Sequence, residues 1–279
     1  MSVNIMLYKI TLVVYIAATI LFLIDVLLRR TSLGNYARGT LLIGLLVHTA
    51  TLATRYAEVG QTPVANLHEA LSFFAWMLIG SYLLIDLRYR LDSLGVMVCP
   101  LAVIMLLAGG VIFYEVPHQN PMLDSWWFPV HVTLAFAGYA VFTLAFLVGI
   151  MYLLQERMLK TKSFSGLYYR LPSLDILDII NYRCLSFGFP LMTMAIITGA
   201  VWANQAWGGY WRWDPKETSA LVTWFLYAAL LHGRLNVGWR GRRAAIVAII
   251  GFIFLIFSLF GVNLMLSDEH SFDAFKSLR

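Results

Sequence analysis

The sequence contains little charge and almost no cysteine. Only 13% of its 279 residues are charged, 60% are hydrophobic, and the mean hydropathy is +0.75. A soluble domain of this length could not cover its surface with so few charges, so the composition excludes a soluble globular protein. The two cysteines, Cys99 and Cys184, form no C-x-x-C pair. Neither is therefore expected to serve a metal site or a disulfide.

Long apolar runs fill most of the chain. A helix of about 20 apolar residues crosses the roughly 30 Å hydrocarbon core of a bilayer. The first run is too long for a signal-peptide core and no small-residue cleavage site follows it, so we expect it to be retained. The sequence predicts an all-α polytopic membrane protein, folded as one membrane domain. Its eight expected spans lie near residues 5–28, 37–54, 67–87, 93–113, 129–155, 184–206, 215–233 and 244–266.

Basic residues cluster in the connections that follow odd-numbered spans. By the positive-inside rule these connections face the cytoplasm, which places both termini and the loop near residues 207–217 on the outer side. The longest inner connection, residues 156–182, is a candidate interfacial amphipathic helix. The sequence pI of about 9.2 reports this topology, and we infer no nucleic-acid binding from it. The basic residues counted are Arg29, Arg30, Arg38, Arg88, Arg90, Arg157, Lys160, Lys162, Arg170, Arg183, Arg234, Arg240, Arg242 and Arg243.

An aromatic segment separates the sixth and seventh spans. Tryptophan is common at membrane edges, but three tryptophans and a tyrosine within eight residues exceed what anchoring requires. The paired glycines let the backbone approach a ligand closely. We expect the rings to stack on a planar macrocycle while Arg212 and Lys216 pair with its carboxylates, a pattern that favours haem. The predicted binding residues here are Trp207, Gly208, Trp211, Arg212, Trp213 and Asp214.

The end of this segment also has a structural explanation. Asp214, Pro215 and Glu217 occupy the N-cap, N1 and N3 positions of a capping-box-like helix start. That arrangement accounts for both acidic residues without a ligand. It also fixes the aromatic segment to the seventh helix, and a rigid platform is what a ligand site requires.

Two histidines lie on the same predicted side as the aromatic segment. His131 is just inside the outer end of the fifth span, and His270 follows the outer end of the eighth. We expect the two imidazoles to supply axial ligands above and below a haem iron. The chain itself has no C-x-x-C-H sequence, so it does not attach haem covalently to its own thiols.

The other histidines occupy different depths. His232 lies at the inner end of the seventh span, about 25 Å from the aromatic segment by helical rise. Either a second, inner haem station or an imidazole at the lipid headgroups explains it equally well. His48 is expected to make a polar core contact, with an indirect contact to haem as the alternative, and His68 is expected to help begin the third helix. We assign no role to His118.

The aromatic segment with its flanking histidines resembles the tryptophan-rich WWD signature of the haem-handling proteins of cytochrome c biogenesis. The helix count, the Asn66–Ala70 and Leu231–Arg234 segments and the His270–Phe272 tail are similar to the CcsA (ResC) branch. The resemblance implies a subunit of a system II cytochrome c synthase, or haem lyase. It implies haem b as the bound form, and as partners a CcsB (ResB)-like membrane protein, apocytochrome c and a thiol reductant of thioredoxin type.

The same resemblance assigns the ligands. It implies His131 and His270 as outer axial ligands and His232 as one inner ligand, the other coming from the partner. Catalysis would be mainly positioning, and no catalytic residue is named. We expect a bacterial plasma membrane, with a thylakoid membrane as the alternative. Three other classes stay open: a CcmC-like haem-delivery protein, a transporter with broken midplane helices, and a cytochrome b with histidine pairs at matching depth.

Overall fold

The fold is entirely helical in the part of the chain that can be described. The computed structural model describes residues 3–28, 31–111, 124–163, 166 and 168–261. A chain in lipid must pair its backbone polar groups internally, which long helices do. The predicted all-α fold of about eight helices is confirmed. The helices are α1 (Val3–Leu28), α2 (Thr31–Val59), α3 (Leu67–Tyr89), α4 (Asp92–Val111), α5 (Trp127–Lys160), α6 (Leu174–Trp207), α7 (Pro215–Asn236) and α8 (Arg242–Ile256), the last followed by a π-helical turn, Phe257–Gly261.

Seven of the described helices are long and apolar enough to cross a membrane, and the chain is an integral membrane protein. The exception is α7. With 22 residues it is long enough, so it falls short in apolar character. Which side of the membrane each end faces stays a prediction, and "outer" and "inner" below refer to the predicted sides.

The connection between α5 and α6 is shorter than the sequence suggested. An interfacial helix over residues 156–182 is wrong, because α5 continues to Lys160 and α6 begins at Leu174. Ser173 caps α6, its side chain accepting the N–H of Ile176 at 3.4 Å. The last turn of α5 carries an ion pair between Lys160 and Glu156 at 2.8 Å. Local caps and charge pairs extend both helices beyond their apolar runs.

The first compact unit contains α1 to α4. In it α1 packs against α2 and α4, and α3 packs against α4 and α2. Its core includes the fully buried side chains of Tyr15, Phe22 and Tyr82. Arg55 and Glu69 form a buried ion pair at 2.6 Å where α2 ends and α3 begins, so each of these two charges is buried beside its counter-charge.

The second compact unit contains α5 to α8. Here α5 packs against α6 and α8, and α7 packs against the same two helices. Phe142 and Tyr227 stack in its core, with ring centroids 3.7 Å apart. Asn181 donates to the carbonyl of Ala145 at 2.9 Å and ties α6 to α5. This unit carries the aromatic segment, His131 and His232.

Candidate haem-binding site

His131 is seated against α6 by a hydrogen bond to the backbone. Its Nδ1 lies 2.7 Å from the carbonyl oxygen of Ala195. A carbonyl can only accept, so Nδ1 carries the proton and Nε2 carries the lone pair. Metal-binding histidines have this arrangement, because the second hydrogen bond fixes the tautomer and the ring orientation. His131 therefore has the protonation state that an axial ligand needs.

A glycine makes this seat possible. A Cβ added at Gly199 would lie 2.7 Å from both Cε1 and Nδ1 of His131. That distance is well inside ordinary van der Waals contact. The imidazole occupies the space that any side chain at position 199 would need.

Stacked rings connect His131 to the aromatic segment. The buried indole of Trp202 lies nearly parallel to the imidazole, with centroids 6.1 Å apart and planes inclined by 13°. Trp202 also packs on Phe128 at 5.1 Å and on Trp207 at 4.9 Å. Trp207 is the last residue of α6. The predicted ligand and the first tryptophan of the segment thus belong to one aromatic cluster.

The turn after Trp207 depends on Gly208. Its φ of 77° is left-handed, and its N–H donates to the carbonyl of Asn204 at 2.9 Å. Glycine adopts this conformation without strain. The guanidinium of Arg212 then folds back, donating to the carbonyl of Trp207 and lying 5.8 Å from its ring centroid. The segment is braced internally at this point.

The capping arrangement at the start of α7 is confirmed. Asp214 is the N-cap, Pro215 follows it, and Asp214 Oδ1 accepts the N–H of Glu217 at 2.7 Å. Glu217 Oε2 accepts the N–H groups of Arg212 at 2.8 Å and Trp213 at 3.0 Å. The carboxylate therefore holds the two residues before the cap and fixes the aromatic segment to α7.

The segment presents two of its rings outward. The side chains of Trp213 and Tyr210 are 68% and 61% exposed. Trp213 has a φ of 60°, an uncommon conformation for a tryptophan, and its ring meets that of Trp211 edge to face at 5.7 Å. The buried indole N–H of Trp211 has no hydrogen-bond partner among the described residues. We call the rings of residues 207–213 the aromatic shelf.

One predicted element of the outer site cannot be placed. His270, the predicted second outer ligand, lies outside the described residues, as does His118, to which no role was assigned. The structure brings His131 together with the aromatic shelf through Trp202, and the ligand role of His270 stays a prediction.

His232 lies apart from the shelf, exposed in the last turn of α7. Asn236 lies one turn further on, its side-chain amide 2.9 Å from the Nδ1 of His232. The neighbouring Arg234 makes a two-pronged ion pair with Asp178 of α6, at 2.7 and 2.6 Å. Asp178 also accepts the N–H of Gly241 at 2.7 Å. These contacts of Asp178 fix the inner end of α7 to α6.

His48 and His68 have structural partners in the first unit. The fully buried His48 bonds Tyr15 at 3.1 Å and Ser72 at 3.0 Å, so both ring nitrogens are engaged and the expected polar core contact is confirmed. His68 donates from Nδ1 to the carbonyl of Gly109 at 2.8 Å. It joins α3 to α4, while Asn66 is the residue that caps α3.

Sequence reasoning missed Gly199, Trp202 and Phe128. They lie within helices and carry no motif of their own. Their spacing was the one indication in the sequence: Gly199 and Trp202 are three residues apart on α6, before Trp207, and therefore lie on the same helix face.

By fold, the chain is a polytopic helical membrane protein whose second four-helix unit carries an aromatic shelf beside a seated histidine. The family model described as cytochrome C assembly protein matches residues 64–270. More than half of the chain is covered by this match. The chain therefore belongs to the cytochrome c assembly protein family and acts in cytochrome c biogenesis.

Its relatives include several proteins named cytochrome c biogenesis protein CcsA. That of Guillardia theta is 34% identical over 84% of this chain and 84% of its own length. That of Synechococcus sp. (strain CC9902) is 35% identical over 82% and 84%, and that of Atropa belladonna is 32% identical over 97% and 95%. These matches confirm the resemblance to the CcsA branch.

A solved structure, the cytochrome c haem lyase CcmF, has a similar fold. The TM-score is 0.64 at 16% identity, over 94% of this chain and 49% of CcmF. The chain thus spans about half the length of that protein. At this identity the likeness concerns the fold alone.

Proposed function

We propose that the chain is the haem-handling subunit of a system II cytochrome c synthase. It moves haem b to the outer face of the membrane and presents it to the C-x-x-C-H motif of apocytochrome c. The observation that carries this proposal is the seat of His131. A hydrogen bond to the Ala195 carbonyl holds its imidazole, beside the aromatic shelf, in the tautomer whose Nε2 carries the lone pair that an iron ligand needs.

The shelf has the chemistry that a haem requires. Its exposed rings offer stacking surface to a macrocycle. The buried Trp211 N–H is a donor that a propionate would satisfy. Arg212 and Lys216 place positive charge along the same segment. The residues present therefore fit the substrate, and His270 is the proposed second outer ligand.

The chain positions haem for an addition reaction. Each apocytochrome thiol adds across a haem vinyl group: a carbon–sulfur bond forms and the thiol hydrogen passes to the neighbouring vinyl carbon, so no external oxidant is consumed. The apocytochrome histidine displaces one outer imidazole. The braced shelf contributes orientation, which can lower a barrier substantially without any acid or base. A thiol reductant of thioredoxin type keeps the apocytochrome cysteines available.

Haem reaches the shelf from an inner station. His232 supplies one ligand there, and a CcsB (ResB)-like membrane partner supplies the other. His232 is exposed at the end of α7 that the Arg234–Asp178 ion pair fixes to α6, so its imidazole is accessible to such a partner. We propose a bacterial plasma membrane as the location.

The alternatives have less support. A transporter with broken midplane helices does not fit, because α4 and α6 continue through Pro100 and Pro190. A cytochrome b would need paired histidine ligands, and His48 has both nitrogens bonded to hydroxyls. A CcmC-like delivery protein would have fewer helices than the eight described here.

Covalent haem attachment tests the proposal. The chain, its CcsB-like partner and an apocytochrome c would be expressed together in a host without its own assembly system. Haem-stained gels then report thioether-linked cytochrome. We expect product with the wild type and little or none with His131→Ala. Tyr36→Ala, at a 68% exposed side chain in the first unit, serves as the control that keeps full yield.

Two outcomes would contradict the proposal. Full cytochrome yield from His131→Ala would show that His131 is not a required haem ligand. Haem bound by the complex with no covalent product in any preparation would favour delivery without ligase activity.

A further inference from the structure

A hydrogen-bonded triad of side chains lies at membrane depth in the first unit. Its centre is His48, which is fully buried near the middle of α2. The hydroxyl of Tyr15 on α1 lies 3.1 Å from its Nδ1, and the hydroxyl of Ser72 on α3 lies 3.0 Å from its Nε2. Ionisable groups at this depth are costly and usually mark a pathway.

The outer side of the triad reaches a polar cleft. Ser72 lines a partly open cleft of about 240 Å³, counting its mouth, together with His68 and the ion pair of Arg55 and Glu69. A cleft with several polar partners binds water. Water there is next to the Ser72 hydroxyl, which contacts His48. The buried imidazole is therefore connected to the outer surface of the unit.

An ion-pair cluster lies at the inner end of the same unit. The hydroxyl of Tyr82 is 3.5 Å from Oδ1 of Asp86, and the other oxygen of Asp86 binds Arg38 at 2.5 Å. Arg38 also binds Asp92 at 2.6 Å. The side chain of Asp86 is 3% exposed and that of Asp92 is 27% exposed. The cluster thus extends from the core of the unit to its surface.

Cys99 lies between the triad and this inner cluster. The hydroxyl of Tyr82 packs against Gly95, where an added Cβ would be 2.5 Å away. Cys99 follows one turn later on the same face of α4 and is fully buried. Its thiol interacts electrostatically with the hydroxyls of Tyr82 and Tyr15. Because a thiol is only a weak donor and acceptor, Cys99 is the weakest link between the two halves.

The groups in this line can both accept and release a proton. Hydroxyl and thiol groups carry a hydrogen and lone pairs, and an imidazole can take a proton on one nitrogen while it releases one from the other. A contact that serves packing alone can end at a backbone carbonyl, as that of Asn181 does at Ala145 in the second unit. Both partners of His48 are hydroxyl groups instead, which suits a relay.

We propose that the first unit conducts protons between the two faces of the membrane. A proton enters from water in the outer cleft, each member accepts a proton from one neighbour and passes its own to the next, and the last member releases one at the inner side. No group is oxidised or reduced, and each returns to its starting form. The electrochemical gradient of protons sets the direction. From the cleft inward, the members are Ser72, His48, Tyr15, Cys99, Tyr82 and Asp86.

Proton flux into liposomes tests this pathway. The purified chain would be reconstituted with a pH-sensitive dye inside, and a potassium diffusion potential set with valinomycin would drive proton entry. We expect the wild type to conduct protons faster than protein-free liposomes do. Cys99→Ala should reduce the flux to the protein-free level, because it removes the hydrogen-bonding group at the weakest link. Cys99→Ser should retain or raise the flux, because a hydroxyl is the better donor and acceptor.

The second cysteine provides a matched control. Cys184 is also a free buried cysteine, but it lies in the second unit, so Cys184→Ala should keep wild-type flux. His48→Gln keeps a donor and an acceptor at the centre of the triad but cannot relay a proton between two ring nitrogens, so it should lose the flux. Gel filtration and circular dichroism would verify that each variant is folded.

Several results would overturn the pathway. Wild-type flux no higher than that of protein-free liposomes would end it, as would unchanged flux in folded Cys99→Ala or His48→Gln. Equal losses in Cys99→Ala and Cys184→Ala, or in Cys99→Ala and Cys99→Ser, would show that hydrogen bonding at position 99 does not carry the proton. None of these results depends on bound haem, so the proposed function is tested separately.

Discussion

Replacing Gly199 with alanine tests whether the seat of His131 matters for haem. The new methyl group would lie 2.7 Å from two atoms of the imidazole, whereas carbon atoms in contact prefer about 3.5–4.0 Å. The ring must therefore shift by roughly 0.8 Å or more to reach that contact distance. A shift of that size would stretch the 2.7 Å bond to the Ala195 carbonyl to about the limit at which a hydrogen bond survives.

The expected loss is in haem affinity. Removing the hydrogen bond that orients a metal-binding histidine costs about 10- to 100-fold in affinity, or about 1.4–2.7 kcal/mol. The imidazole also becomes a weaker donor, so the reduction potential of bound haem should rise. Haem titration of the purified apo protein and a potentiometric titration of the bound form measure the two effects.

A matched control exists in α3. A Cβ added at Gly80 meets nothing within 4 Å, so Gly80→Ala should leave affinity and potential unchanged while favouring the helix by up to about 1 kcal/mol. If Gly199→Ala bound haem with wild-type affinity and potential, the inferred role of the Ala195 hydrogen bond would be refuted.

Three other substitutions probe the shelf and the core. Trp213→Ala removes a 68% exposed ring and should weaken haem binding about two- to tenfold, whereas Tyr169→Ala, 66% exposed, should not change the same titration. Glu217→Ala removes the acceptor of two backbone N–H groups, so limited proteolysis should cut residues 209–213 faster; unchanged cutting would show that the carboxylate does not brace the shelf. His48→Phe leaves two buried hydroxyls without their imidazole partner and should cost about 1–3 kcal/mol of stability in thermal unfolding. It should leave haem content unchanged, and a parallel loss of haem would contradict its structural role.

The helices could be predicted because lipid imposes a simple rule on sequence. Each apolar run must be helical and about 20 residues long, and the number and order of helices follow. The positions of the helix ends do not follow from this rule, because charge pairs and caps extend the helices outside the hydrocarbon. Hence α6 begins at Leu174 instead of near residue 184, where the structure shows that Ser173 caps its first turn.

The candidate site likewise has one part that the sequence predicts and one part that it does not. The capped start of α7 was predictable because Asp214, Pro215 and Glu217 interact within one turn. The seat of His131 was not, because Ala195 and Gly199 are distant in sequence and contact it only through the packing of α5 on α6. A backbone carbonyl as partner has no sequence signature, so only the structure shows which imidazole tautomer is held.

The most direct test of the account is the haem content of ligand variants. The protein would be purified from a haem-replete host with and without its CcsB-like partner, and reduced haemochrome spectra recorded for the wild type, His131→Ala, His270→Ala and His232→Ala. We expect b-type haem in the wild type, depletion in the two outer variants, and an effect of His232→Ala that appears only with the partner. Wild-type protein without haem in either preparation, or haem content indifferent to all three substitutions, would contradict it.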